Sequence, residues 1–388
     1  MTDAFVVVVV GGLGSIGGAY CASLLIAVLQ SLGVLLLPEA APALSFAVMI
    51  AVLVLRPNGL LGRSPTPARA SPALAASIRP APCALRILGL CALLLAVSAP
   101  LWAGPFLLSV LTEAAIAVLF AASLHVMMGP GGMPSFGHAA WFGIGAYATA
   151  LTAQYLSAPM PLALLAAPLA AGLAAAAFGL FVVRLSGVYL AMLTLAFAQI
   201  VWAVAFQAVS LTGGDNGILG IVAPPWLRSP AAFYWLSLAL CIGGTLLLRR
   251  LLYAPLGYAI RAARDSAPRA EAIGLDTARL RLAAFTMAGL AAGLAGGLFT
   301  YAKGSAFPTY VSIQHSVDAL LMVLMGGVDT MAGPVVGALA YTGLYDLLLL
   351  YVSFWRLALG AAIILLVVAF PAGIAGAAHK LWLRTRPA

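Results

Sequence analysis

The chain has 388 residues, 64% of them hydrophobic and 7% charged, where a soluble domain carries roughly 25% charged residues; an ordinary water-soluble protein is excluded. Nineteen Lys and Arg against ten Asp and Glu leave a net charge of +9. The basic residues are interleaved with long apolar runs, which excludes a nucleic-acid face, so the charge has to be read against a bilayer. Cys21, Cys83, Cys91 and Cys241 form no CxxC pair and have no nearby His cluster, so neither a metal site nor a disulfide framework is expected.

Crossing a hydrocarbon core of about 30 Å takes about 20 apolar helical residues. Apolar runs near 16–37 and 43–55 come first. The N-terminus lacks the basic n-region and cleavage site of a secretory signal, so these runs are expected to be retained. Residues 64–84 hold Pro65, Pro67, Pro72, Pro80 and Pro82 among Ala and Ser, a composition that resists helix and predicts an extended linker. Pro, Gly and residual polar residues then divide the chain into spans near 87–103, 107–127, 139–155, 160–183, 187–208 and 230–248. From Leu251 to Arg281, Ala259, Ala262, Ala263, Ala270 and Ile273 recur at helical spacing among arginines, which predicts a structured loop. Spans near 282–302, 332–351 and 357–379 complete an all-α, polytopic transmembrane fold.

Lys and Arg collect in cytoplasmic loops. Five lie in Arg56 to Arg86, seven in Arg249 to Arg281 and three in Lys380 to Arg386, which is 15 of the 19. Six spans separate the first two clusters, so both fit on the cytoplasmic side, and Ser210 to Ser229 must face outward. The C-terminal cluster joins them if Val317 to Val328 crosses as a short segment, broken from the next helix between Gly326 and Gly333. The C-terminus is then cytoplasmic.

A partial repeat runs about 315 residues apart. Asp3, Ala4, Gly11, Gly12 and Gly18 align with Asp318, Ala319, Gly326, Gly327 and Gly333; one residue of slippage later, Pro57, Gly59 and Gly62 align with Pro371, Gly373 and Gly376. Repeats in membrane folds often place a pathway and broken helices at their interface.

No catalytic constellation is present. HExxH and the GxxxxGK[ST] phosphate loop are absent, so any ATP must be handled by another subunit. Ser135 and His138 sit three residues apart in one Gly-rich loop without an oriented base, which speaks against a serine hydrolase. Gly129 to Pro134 breaks the chain beside Phe136 and His138, and broken backbone at membrane depth has to be buried or face water. That break is expected to border a pathway, with His138 hydrogen-bonded to a loop carbonyl as its favoured role. Tyr147, Tyr189, Thr194, Gln199 and Trp202 are further candidates for the lining; Tyr189, Thr194 and Gln199 do not share a helical face, and Gln199 with Trp202 is the better pair. Gly289, Gly293 and Gly297, like Gly333 and Gly337, recur at i, i+4 and read as close helix contacts.

Ser135-Phe136-Gly137-His138-Ala139, Gly143-Ile144-Gly145-Ala146-Tyr147, Leu185-Ser186-Gly187-Val188-Tyr189, Leu211-Thr212-Gly213-Gly214-Asp215-Asn216-Gly217 and Gly257-Tyr258-Ala259-Ile260-Arg261-Ala262-Ala263-Arg264-Asp265 resemble the permease subunits of branched-chain amino-acid ABC importers. The resemblance runs from about residue 85 to the end. Residues 1–63 instead resemble the C-terminal end of the sister permease of such importers, so only that end is present, joined through 64–84 to a whole permease domain at 85–388. The resemblance implies ATP and Mg on separate ATP-binding cassette subunits, a sister permease, a periplasmic or surface solute-binding protein, and residence in the cytoplasmic (inner) membrane. It also implies a short cytoplasmic coupling helix near Pro268 to Leu275, fitting a groove on the ATPase, with Glu271 and Gly274 at the family's positions.

Around that helix Arg261, Arg264 and Arg269 offer charge-assisted hydrogen bonds, Ala270, Ala272 and Ile273 offer apolar packing, and Gly274 offers a helix end. Asp215 and Asn216 suit either a contact with the binding protein or a solvated turn. The reading is an importer permease for branched-chain or related amino acids. An ion-coupled secondary carrier or channel, with Glu113, Asp318 and Asp346 as its acidic candidates, and a membrane scaffold are the alternatives.

Overall fold

The computed structural model describes residues 2–12, 14–36, 38, 41–56, 58–62, 83–183 and 185–377. Nearly all of the 64–84 linker and the basic tail Lys380 to Arg386 lie outside the described residues. An N-terminal group comprises α1 (Thr2–Gly11), α2 (Ile16–Leu36) and α3 (Ala41–Leu55). Then come α4 (Cys83–Ser98), α5 (Pro105–Met128), α6 (Ala139–Tyr155), α7 (Met160–Val182), α8 (Gly187–Gln207), the single turn α9 (Val209–Thr212) and α10 (Pro230–Tyr253). After these come α11 (Pro255–Asp265), α12 (Ala267–Ala272), α13 (Thr277–Lys303), α14 (Ile313–Gly326), α15 (Gly333–Tyr351) and α16 (Trp355–Ala369). Among the described residues, eight helical segments are long and apolar enough to cross a membrane.

Helix starts follow local chemistry. Pro105, Pro230 and Pro255 each stand at the first position of their helix, where a missing N–H costs nothing and φ is already set. Two boundaries differ from expectation. Cys83 and Ala84, assigned to the linker, are the first residues of α4, and the run to 103 ends instead in a 3-10 turn over Ala99–Leu101, because Pro100 removes a helical donor. The basic loop is shorter than 251–281: α10 continues to Tyr253 and carries Arg249 and Arg250, and α13 begins at Thr277 and carries Arg279 and Arg281. Helix satisfies the backbone through the interface while the long side chains reach water.

Helix α13 is the centre of the bundle and packs against α5, α6 and α7. Small residues make this possible. A Cβ on Gly145 would stand 2.2 Å from Gly293 O, one on Gly296 would stand 1.9 Å from Phe142 O, and one on Gly293 would stand 2.4 Å from Ala171 Cβ. In lipid, where no hydrophobic force drives helices together, such contact brings dispersion between backbones. The expected packing role of Gly289, Gly293 and Gly297 is met on α7, at Ala167, Ala171 and Ala175.

The two faces of the bundle are distinct. On the basic face lie α11, α12 and the ends of α5 and α14. On the far face the turn after α9 continues into a two-residue strand, β1 (Ile218–Leu219), antiparallel to β2 (Ser305–Ala306) with Ile218 opposite Ala306. Just beneath it Lys303 Nζ lies 2.5 Å from Glu113 Oε1 and ties α13 to α5.

Helix α14 is only 14 residues long and stops at Gly326, so the short segment and the break between Gly326 and Gly333 are as expected. The repeat has a structural counterpart. Gly11 closes on Gly18 as Gly326 closes on Gly333, and Gly12 closes on Gly59 as Gly327 closes on Gly373. Gly12 and Gly327 share φ values of 101° and 109°, and Gly59 and Gly373 share 80° and 74°, a region where only glycine is free of strain.

Candidate translocation core and coupling loop

Between α5 and α6 the chain leaves helix from Gly129 to His138 and runs back into the bundle. Its backbone groups need partners there, and hydroxyls from other helices supply them. Phe136 N donates to Thr194 Oγ1 of α8 at 3.2 Å, and Ala139 N donates to Ser316 Oγ of α14 at 3.0 Å. Gly137 passes so close to α8 that a Cβ would stand 1.8 Å from Thr194 O. The break is thereby clamped between α8 and α14. Ser316→Ala would strand the Ala139 N–H in a fully buried place, and a loss of about 1–3 kcal/mol is expected, read as a lower unfolding midpoint of the purified protein.

His138 is completely buried. Its partner is not a loop carbonyl, as expected, but Ser123 Oγ of α5 at 2.7 Å. Ser123 already donates to Phe120 O at 2.6 Å, so His138 Nε2 is the donor and Nδ1 is left without a protein partner. The histidine that does donate to a carbonyl is His125, 2.7 Å from Val328 O in the α14–α15 break. Phe120 stacks on both His138, at 5.4 Å, and His315, at 5.1 Å. Ser123, His125, His315 and Ser316 were not singled out in the sequence; histidine and serine inside apolar spans were the available signal.

Of the other lining candidates, Thr194 is brought onto the Phe136 to His138 segment. Tyr147, Tyr189 and Thr194 are buried, the Tyr147 hydroxyl has no protein partner, and Thr194 is committed to the Phe136 amide. Gln199 and Trp202 are partly buried farther along α8, where Trp202 stacks on Phe206 at 5.1 Å.

On the basic face, α12 ends in two hydrogen bonds: Gly274 N to Glu271 O at 2.9 Å and Leu275 N to Ala270 O at 3.0 Å. With Gly274 at φ 87° this is the Schellman stop, so Gly274 does end the helix. Glu271 Oε1 accepts from Thr277 Oγ1 at 2.6 Å and links α12 to the first turn of α13.

Two of the arginines are tied to backbone carbonyls. Arg261 donates to Leu252 O and lies over Tyr258, 4.9 Å from its ring centre. Arg264 donates to Gly129 O at 2.8 Å and pairs with Asp265 at 2.9 Å. Its stem fills the space beside Gly132, where a Cβ would meet Arg264 Cγ at 2.4 Å. Ala270 is buried within the chain rather than offered outward, whereas Arg269, Ala272 and Ile273 are exposed. Replacing Arg264 by Ala is expected to loosen the tie between α11 and the Gly129 break, read as faster amide exchange over residues 255–275.

Asp215 and Asn216 are exposed on the far face, in a turn held by Gly213, Gly214 and Gly217 at positive φ. A cavity of about 570 Å³ opens near the same layer, lined by Gln154, Ser157, Pro159, Leu219, Val222 and Tyr301.

A bundle of apolar helices with interrupted segments clamped at its centre, and an exposed helical arm on its basic face, defines a multi-pass membrane permease subunit. Residues 106–369 match the family model described as the permease component of branched-chain amino acid transport systems, and the chain belongs to that family. It is a transport subunit, not an enzyme. It is 28% identical over 309 residues, 73% of each chain, to the high-affinity branched-chain amino acid transport system permease protein LivM of Escherichia coli and to that of Salmonella typhimurium. A probable branched-chain amino acid transport permease protein LivM of Methanocaldococcus jannaschii is 27% identical over 178 residues, 44% of this chain and 51% of its own. No solved structure matches.

Proposed function

We propose that the chain carries branched-chain or related amino acids inward across the cytoplasmic membrane, driven by ATP that separate ATP-binding cassette subunits hydrolyse with Mg. A sister permease completes the pathway, and a solute-binding protein delivers the substrate to the outer face near Asp215 and Asn216. The observation that carries the reading is α12. It is a capped helix with an exposed apolar tip at Ile273, linked through Glu271 to α13 and following directly on α11, whose Arg264 binds the Gly129 break. A push on that tip reaches the clamped segment at Phe136 to His138 through a short run of packed backbone.

The basic arm and the C-terminus lie in the cytosol on this reading, where the excess of arginine belongs. A secondary carrier is less favoured: Glu113 is paired with Lys303, and Asp318 accepts from Tyr341 Oη at 2.7 Å, so two of the three candidate carboxylates, Asp346 being the third, act as ties. The test is reconstitution in liposomes with the ATPase and binding protein. Uptake should require ATP, and Glu271→Lys should abolish it while leaving the subunit inserted; uptake driven by a proton gradient without ATPase would overturn the reading.

A further inference from the structure

The two three-helix groups, α1–α3 and α14–α16, are built alike yet lean on different neighbours. With Gly59 set on Gly373, Met49 of α3 corresponds to Ile363 of α16, and both are buried. Phe46 and Leu53 are also buried, at 7% and 0% exposure, on a helix that lies along α8 as well as on α1 and α2. Their counterparts Gly360 and Val367 are not, and Ile364, which answers to the half-buried Ile50, is 65% exposed. The opposite difference holds on the other side of the group. Val323 of α14 is fully buried where α14 and α15 lie on α5, whereas its counterpart Val8 of α1 is 42% exposed. Each group thus owns two docking faces, and each copy fills the one that the other leaves open.

We infer that the face of α16 formed by Gly360, Ile364 and Val367 seats on the helix equivalent to α8 in a second, homologous permease subunit, as α3 seats on α8 within this chain. The inference rests on the reading that the permease works as a pair. The occupant is a different permease chain, because α8 here is already covered by α3 and a second copy would find the same seat filled. The surfaces suit a contact within lipid: an apolar stripe with Gly360 at one end allows backbones to approach, which is what holds helices together there.

A photo-crosslinking phenylalanine analogue placed at 364 of the full chain, in membranes of the native host, tests this. The expected adduct maps by mass spectrometry to the α8-equivalent helix of another permease. The same probe at 50 should label α8 of its own chain, and at 173, on the exposed side of α7, it should label no permease. An adduct from 364 to α8 of a second copy, to any other segment, or to no protein at all overturns the inference. ATP-dependent uptake in the same membranes reports separately on transport, so that a missing adduct with uptake retained rejects this interface and leaves the function standing.

Discussion

Gly137→Ala is expected to abolish a stably folded permease at the temperature where the parent survives. The added methyl would stand 1.8 Å from Thr194 O and 2.5 Å from Thr194 C, and both are backbone atoms in the middle of α8 that cannot rotate away. Overpacking of a filled interior costs about 1–3 kcal/mol, and this site belongs at the upper end because the neighbour is rigid. Separation of α6 from α8 would also break the Phe136 to Thr194 hydrogen bond. Gly243→Ala in α10 is the control: nothing lies within 4 Å of its Cβ position, and alanine is about 1 kcal/mol better than glycine inside a helix. Unfolding midpoints in detergent should fall for the first and hold or rise for the second. Equal behaviour of the two would mean that the clamped segment does not lie against α8.

Ile273→Asp is expected to uncouple transport without unfolding the subunit. The side chain is 75% exposed at the tip of α12, so the fold gains little from it. An apolar residue of this size is worth about 1.5–3 kcal/mol when fully removed from water, and a charge in its place would reverse the sign of that contribution in an ATPase groove. The affinity of the permease for its ATPase should then fall by about 10- to 100-fold, as these energies convert, and ATP-driven uptake should be lost, while the unfolding midpoint stays with the parent. Retained uptake would show that the α12 tip is not where force enters.

Span positions were legible because the bilayer imposes a minimum length of uncharged helix, and in a chain with only 7% charged residues Pro, Gly and the few polar residues mark the boundaries. The break at Gly326 to Gly333 was legible too, since parity of the basic clusters demanded a crossing where only a short apolar segment exists. What failed was the assignment of partners. His138 was expected on a loop carbonyl and sits on Ser123 instead, while His125 takes the carbonyl. Spacing along one chain says nothing about which hydroxyl on another helix arrives opposite a broken strand of backbone.

The arginines of the basic arm show the same division. Their number and side follow from composition and the bilayer alone, but Arg261 and Arg264 are hydrogen-bonded to the carbonyls of Leu252 and Gly129 while Arg269 extends into solvent, and only folded geometry distinguishes them. By itself the sequence determined the membrane class, the helices, the repeat and the stop at Gly274, because local chain chemistry and the low dielectric of lipid act residue by residue. The tertiary structure alone decided which polar groups satisfy the interrupted backbone and which face of each repeated group is covered, because those outcomes depend on contacts between segments far apart in the chain.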